Sequence, residues 1–135
     1  IVMLFGAVNI GCGQTSDKKE KKKSVSKSEK IEMYYFHFSR RCAGCKAVEA
    51  EAKKNLESLY SEEIKKGLIT FKAINIEEES GKAIAGKFNE SSQALIIVKG
   101  ANKHNVTNEG FMYARSNPDK FKEIIKEKVE DLKKK

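Results

Sequence analysis

Ile31-Glu-Met-Tyr-Tyr-Phe-His-Phe38, followed by Ser39-Arg40-Arg41-Cys42-Ala43-Gly44-Cys45-Lys46, is the stretch on which the reading of this chain turns. Residues 31–38 are rich in aromatics and do not alternate cleanly between apolar and polar, the pattern of a strand buried on both faces. Ser39-Arg40-Arg41 reads as a turn. From Cys42 to about Ile64, Val48, Ala52, Leu56 and Leu59 recur at helical spacing, with Glu and Lys between them. A buried strand therefore leads into a helix that opens on two cysteines. Cysteines placed three apart across a first helical turn bring their sulfurs into disulfide range. Cys42 falls where unpaired backbone N–H groups point, which favours negative charge and lowers a thiol pKa. Arg40 and Arg41 add positive charge beside it. The attacking species in disulfide exchange is the thiolate, so the place suits a nucleophile.

Outward from this stretch, Gly67 ends the helical pattern and Leu68–Ile76 alternates well enough for a second strand. Glu77-Glu78-Glu79-Ser80 is an acidic run, favourable at a helix N-terminus, and Ile84 and Phe88 make an i,i+4 apolar pair on a short helix. Ala94–Val98 is an apolar strand, Lys99–Asn105 a polar turn containing Gly100, and Val106–Ala114 a weaker strand broken by Gly110. Asn117-Pro118 reads as an N-cap with proline at the first helical position, and Phe121, Ile125, Val129 and Leu132 mark one face of the last helix. The expected order is β-α-β-α-β-β-α: an α/β fold with a mixed four-stranded sheet flanked by helices, parallel in its first half and closed by a late hairpin.

The 135 residues suit one domain with extensions. The formal charge is +8, but residues 17–30 hold seven Lys against three acids and residues 126–135 five against three. The basicity lies mainly in the flanks, unlike the basic face with interleaved aromatics that marks nucleic-acid binders. Three cysteines make an odd count, resolved by position: Cys42 and Cys45 are spaced as a redox or metal pair, and Cys12 stands alone after a short apolar run. Residues 1–12, ending Gly11-Cys12, resemble an export signal with a bacterial lipobox, although Asn9 stands where the usual Leu would be. Residues 13–30 are polar and Lys-rich, as in a flexible linker, and residues 31–135 form the expected domain.

Over nearly all of residues 31–132 the sequence resembles the thioredoxin-like superfamily. Arg41-Cys42-Ala43-Gly44-Cys45-Lys46 between strand and long helix looks like that family's active-site region. Lys72-Ala73-Ile74-Asn75-Ile76 looks like its middle strand, and Ala94-Leu95-Ile96-Ile97-Val98-Lys99-Gly100 like the strand leading into its closing hairpin. More narrowly, the chain looks like small exported thioredoxin-like proteins labelled as nitroreductase subunits, although no residue pattern marks a flavin or nitro-group site. The resemblance implies that Cys42 attacks and Cys45 resolves. Four positions depart from the family pattern: Arg41 replaces the Trp before the first Cys, Ala43-Gly44 replaces Gly-Pro, Phe36 replaces a buried Asp, and Ser92-Gln93 falls where the cis-proline belongs.

The function expected is thiol–disulfide exchange, with Cys42 and Cys45 catalytic and Arg40, Arg41, Ala43, Gly44, His37 and Gln93 flanking the site. Neither a cofactor nor a resident metal is expected. The expected partners are protein thiols or disulfides, an electron-transfer partner and, through lipid on Cys12, a membrane; nucleic acid is not among them. A monomer at the bacterial cell envelope, facing the periplasm or exterior, completes the picture. Two other readings stay open. One is a soft-metal (Cu or Zn) module on Cys42 and Cys45, with His37 or His104 as a third ligand. The other is a non-catalytic binding domain with a structural disulfide. His37 reads either as a core histidine with one hydrogen bond or as a proton acceptor near the thiols, and His104 as a solvated surface residue.

Overall fold

A computed structural model describes residues 29–135. The lipid site expected at Cys12, and all but the last two residues of the expected linker, lie outside the described residues.

The 31–38 stretch forms β1 (Ile31–His37), and its lack of alternation has the expected cause. Ile31, Met33 and Tyr35 enter one core with Val48, Leu56, Phe121 and Ile125; Tyr34 and Phe36 enter a second with Ile76, Ala85 and Ile96. Met33, Tyr35 and Phe36 have no exposed surface. Burying side chains of this size stabilises by about 1.5–3 kcal/mol each relative to exposure.

The helix after β1 is α1 (Ala43–Leu59). The helical pattern read to Ile64 proves to be two helices, since Tyr60 leaves helical geometry (φ −134°, ψ 38°) and α2 (Ser61–Lys65) follows. Tyr60 is buried, donates a hydrogen bond to Glu130 Oε1 (3.0 Å), and has Lys133 Nζ 4.6 Å from its ring centroid. Its tertiary contacts thus accompany the break in a sequence whose apolar spacing runs on.

β2 (Ile69–Asn75) pairs parallel to β1, and α3 (Glu79–Lys87) begins within the acidic run. β3 (Ala94–Lys99) lies antiparallel to β1, and β4 (Asn102–Asn105) antiparallel to β3. The sheet order is β2-β1-β3-β4, mixed as expected, with β1 and β3 central.

The closing hairpin is shorter than its sequence pattern implies. The expected turn at Lys99–Asn105 contains β4, and the strand expected over Val106–Ala114 is α4 (Thr107–Tyr113). Asn105 Oδ1 accepts from Thr107 N–H (3.0 Å) and from its hydroxyl (2.6 Å), an Asx-type turn that directs the chain out of the strand. The buried residues Val106, Gly110 and Ala114 recur at i, i+4, i+8. Gly110 is a contact point rather than a strand breaker, for an added Cβ would lie 3.1 Å from Val48 Cγ1 and 3.4 Å from Phe121 Cζ.

α5 (Pro118–Lys133) starts as its sequence requires: Asn117 accepts from Lys120 N–H (3.1 Å) and Pro118 occupies the first turn. Its apolar face, Phe121, Ile125, Val129 and Leu132, is fully buried. His104 is tied to this helix rather than solvated, with Nε2 2.7 Å from Asp131 Oδ2. Among the described residues no helix is long and apolar enough to cross a membrane.

Two glycines of α3 make opposite predictions. A Cβ at Gly81 would lie 1.8 Å from the Asn75 carbonyl oxygen, whereas Gly86 faces open space. Gly81→Ala should lower unfolding free energy by about 2–3 kcal/mol through overpacking, and Gly86→Ala should raise it by about 0.5–1 kcal/mol through helix propensity. Urea titration of both variants checks the contrast; equal effects would contradict this packing of α3 on β2.

Candidate active site

β1 ends at His37, and Phe38–Arg41 bring the chain to the start of α1. This turn is fixed to the end of β2. Ser39 N–H donates to Glu77 Oε2 (2.6 Å), Asn75 Nδ2 donates to Ser39 Oγ (2.8 Å), and Glu77 N–H donates to Asn75 Oδ1 (3.0 Å). Hydrogen bonds from the Ser39 hydroxyl and backbone N–H hold the Glu77 carboxyl below its ordinary range.

Cys42 is the N-cap of α1, and its Sγ accepts from Cys45 N–H (3.1 Å). The sulfur thus takes a place usually filled by a Ser, Thr, Asp or Asn oxygen. Cys42 and Cys45 are joined as a disulfide, their Cα atoms 5.1 Å apart. Their surroundings differ: Cys42 is exposed, whereas Cys45 retains 7% of its surface. Bonding across three positions restricts the unfolded chain weakly, by about 2 kcal/mol against about 4.7 for a 100-residue loop. On that scale this is a poor stabilising staple.

The flanking cations have unequal surroundings. The half-buried Arg41 forms an ion pair with Glu49 on α1, and its guanidinium carbon lies 5.9 Å from the Tyr35 ring centroid. The Arg41 charge expected beside Cys42 is therefore partly offset by Glu49. Arg40 and Lys46 are exposed and, among the described residues, form no ion pair. Ala43 is exposed and Gly44 half-buried in the first turn. A Cβ on Gly44 would lie 3.9 Å from Cys42 Sγ and 3.9 Å from Phe111 Cδ1. Phe111, on α4, thus flanks the dipeptide while remaining 43% exposed, and Met112 beside it is 59% exposed.

Gln93, just before β3, reaches the cysteines. Tyr35 OH donates to the Cys45 carbonyl (3.0 Å), Gln93 Nε2 donates to Tyr35 OH (2.5 Å), and Gln93 Oε1 lies 3.7 Å from Cys45 Sγ. Burial pushes the Tyr35 phenol above its ordinary pKa. Among the described residues there is no cis peptide bond.

His37 is neither fully buried nor bonded to sulfur. Its ring is half-buried, with Nδ1 2.9 Å from the Phe38 carbonyl oxygen. Among the described residues no three His, Cys, Asp or Glu side chains are grouped to hold a metal ion, so neither His37 nor His104 completes a ligand set with the cysteines. A groove of about 580 Å³ is lined by Phe38, Ile76, Ala85, Glu77, Lys82 and Ser91 among others.

Sequence reasoning singled out both cysteines, the arginines and Gln93. In the sequence Tyr35 reads as core, and nothing in the strand pattern marks its hydroxyl as a site group. Phe111 lies in a segment whose sequence reads as a strand, which hides its place on a helix beside the cysteines. The Ser39–Asn75–Glu77 anchor depends on β1 and β2 ending side by side, which no local pattern displays.

No family model matches this sequence, and no curated protein matches it. Among the solved structures that match is one described as that of a malarial protein, similar at 16% identity with a TM-score of 0.41, over 63% of this chain and 92% of its own. A likeness of that degree identifies neither a fold family nor an activity.

The asymmetry of the cysteines predicts their order of modification. In the reduced full-length protein, alkylation at mildly acidic pH should label Cys42 about tenfold or more faster than Cys45, one pKa unit being tenfold in thiolate. Equal rates, followed by mass spectrometry of peptides, would contradict a thiolate stabilised at the helix end.

Proposed function

We propose that this protein is a thiol–disulfide oxidoreductase of thioredoxin-like type. The observation that carries the reading is the placement of an exposed Cys42 at the N-cap of α1, bonded to a buried Cys45. The parallel β1–β2 pair joined through α1, the antiparallel β3–β4 hairpin and the sheet order β2-β1-β3-β4 support the fold assignment.

In the reaction, the Cys42 thiolate attacks one sulfur of a substrate disulfide. A mixed disulfide forms, and the other substrate sulfur leaves as a thiolate that takes a proton from water. Cys45 then loses its proton and attacks the Cys42 sulfur. The second substrate thiol departs, and the Cys42–Cys45 bond forms. The substrate disulfide gains two electrons and becomes two thiols; the enzyme dithiol loses two and becomes a disulfide. The reverse sequence donates a disulfide through the same atoms. With Arg41 offset by Glu49, the Cys42 thiolate is stabilised by the N–H groups at the helix start, one of which already donates to its sulfur, and by the Arg40 charge two residues before it, unpaired among the described residues. The partly exposed Phe111 and Met112 offer apolar contact to an extended substrate segment approaching Cys42.

Cys45→Ser should accumulate a mixed disulfide through Cys42 with substrate proteins or glutathione, and Cys42→Ser should not. Absence of any adduct on Cys45→Ser would overturn the exchange mechanism. We also propose that the protein is exported and tethered by lipid on Cys12, which rests on the sequence: a short apolar run ending in Gly11-Cys12 and the polar, Lys-rich stretch that follows. Cys12→Ser should then move the protein from the membrane to the soluble fraction of expressing bacteria; unchanged retention would contradict the anchor.

A further inference from the structure

We infer that Gln93 is a positioning residue that adjusts the redox midpoint of the Cys42–Cys45 pair, by accepting a hydrogen bond that the Cys45 thiol can donate only when reduced. This rests on the exchange reading above and adds a regulation of that site.

The argument begins with one proton. Tyr35 is fully buried, and its hydroxyl has a single hydrogen, directed at the Cys45 carbonyl (3.0 Å). The phenol oxygen then meets the Gln93 amide as an acceptor, so the Gln93 NH2 faces Tyr35 (2.5 Å). With the amide held this way, its oxygen must face Cys45 Sγ, 3.7 Å away. The orientation of Gln93 thus follows from the chain of donors and acceptors.

In the disulfide that sulfur carries no hydrogen, and Gln93 Oε1 receives nothing from it. Reduction delivers two electrons to the sulfur–sulfur bond. Cys45 Sγ takes a proton and becomes a donor aimed at a waiting acceptor, while Cys42 Sγ remains at the helix start as thiol or thiolate. A hydrogen bond made in one redox state alone stabilises that state. Gln93 therefore favours the dithiol and makes the pair more oxidising than it would be with an apolar neighbour. The same oxygen opposes negative charge on Cys45, so the buried sulfur stays protonated while the exposed one ionises. Two titratable or charged groups face the Tyr35 ring, the Arg41 guanidinium, which pairs with Glu49, and the His37 imidazole; neither they nor Glu49 has a hydrogen bond to Gln93.

The test equilibrates full-length wild type, Gln93→Met and Tyr35→Phe in the same glutathione buffers, metal-free, and scores the Cys42–Cys45 disulfide by mass. Methionine keeps the bulk and removes the carbonyl. Gln93→Met should shift the equilibrium toward disulfide by about threefold to tenfold, the range of one modest hydrogen bond, up to about 30 mV more reducing. Tyr35→Phe, which frees the amide to turn over, should shift it in the same direction by less. Coincident midpoints for wild type and Gln93→Met, or a shift toward dithiol, would overturn the inference while leaving exchange intact. A wild type with no reversible midpoint would overturn the exchange reading and this inference with it. Should Gln93→Met fail to fold, NMR of the wild type decides: the Gln93 side-chain carbonyl and amide resonances must move on reduction, and unchanged resonances would refute the hydrogen bond.

Discussion

The burial of β1 on both faces is the constraint on which the rest depends. Met33 and Tyr35 fill the core under α1 and α5, and Tyr34 and Phe36 fill the core under α3. A strand locked on both sides has one register, since a slip of one residue would exchange the two cores. Its C-terminal end is therefore a fixed point, and the site is assembled beyond it. The turn at Ser39 is anchored to Asn75 and Glu77 at the end of β2, and α1 begins at Cys42. Tyr35, held inside that strand, carries a hydroxyl to the backbone of Cys45. The position of each sulfur thus follows from the packing of aromatic side chains one turn of chain away.

That packing also separates the two sulfurs. Cys42 is exposed to partners and accepts a backbone N–H, while Cys45 lies against the core beside Gln93. Two identical side chains three residues apart acquire different chemistry from solvent access and hydrogen bonding. The offset of Arg41 by Glu49 reduces the part that side-chain charge plays in this difference. Backbone N–H groups at the helix start are fixed by α1 itself, so their contribution needs no mobile side chain to be ordered.

Much of this architecture was legible because local pattern and tertiary position agree. The unalternating β1, the Cys42–Cys45 placement, the apolar β3 and the Asn117-Pro118 cap each place one strong local preference where the fold uses it. The failures share a different cause. Val106–Ala114 contains β-favouring and aromatic residues, yet the Asn105–Thr107 turn and the close approach of Gly110 to Val48 make it a helix. The break at Tyr60 likewise answers to α5, through Glu130 and Lys133, rather than to its sequence neighbours. In the sequence His37 reads as a core histidine or as a proton acceptor or ligand near the thiols; its place at the end of β1 leaves it half-buried against the next carbonyl. At the site, the cysteines and Gln93 could be read from position in the pattern, whereas the service of Tyr35 and Phe111 emerges only when β1, β3, α1 and α4 are brought together.

The central claim is that Cys42 and Cys45 interconvert between dithiol and disulfide as part of a reaction. The most direct test titrates the full-length protein across glutathione buffers, metal-free and approached from both the reduced and oxidised sides, with the internal bond scored by mass. The account predicts a single reversible two-electron midpoint, in the span of exchange proteins from about −270 to about −120 mV. A bond that never forms, or one that forms and resists reduction across the whole range, would contradict it.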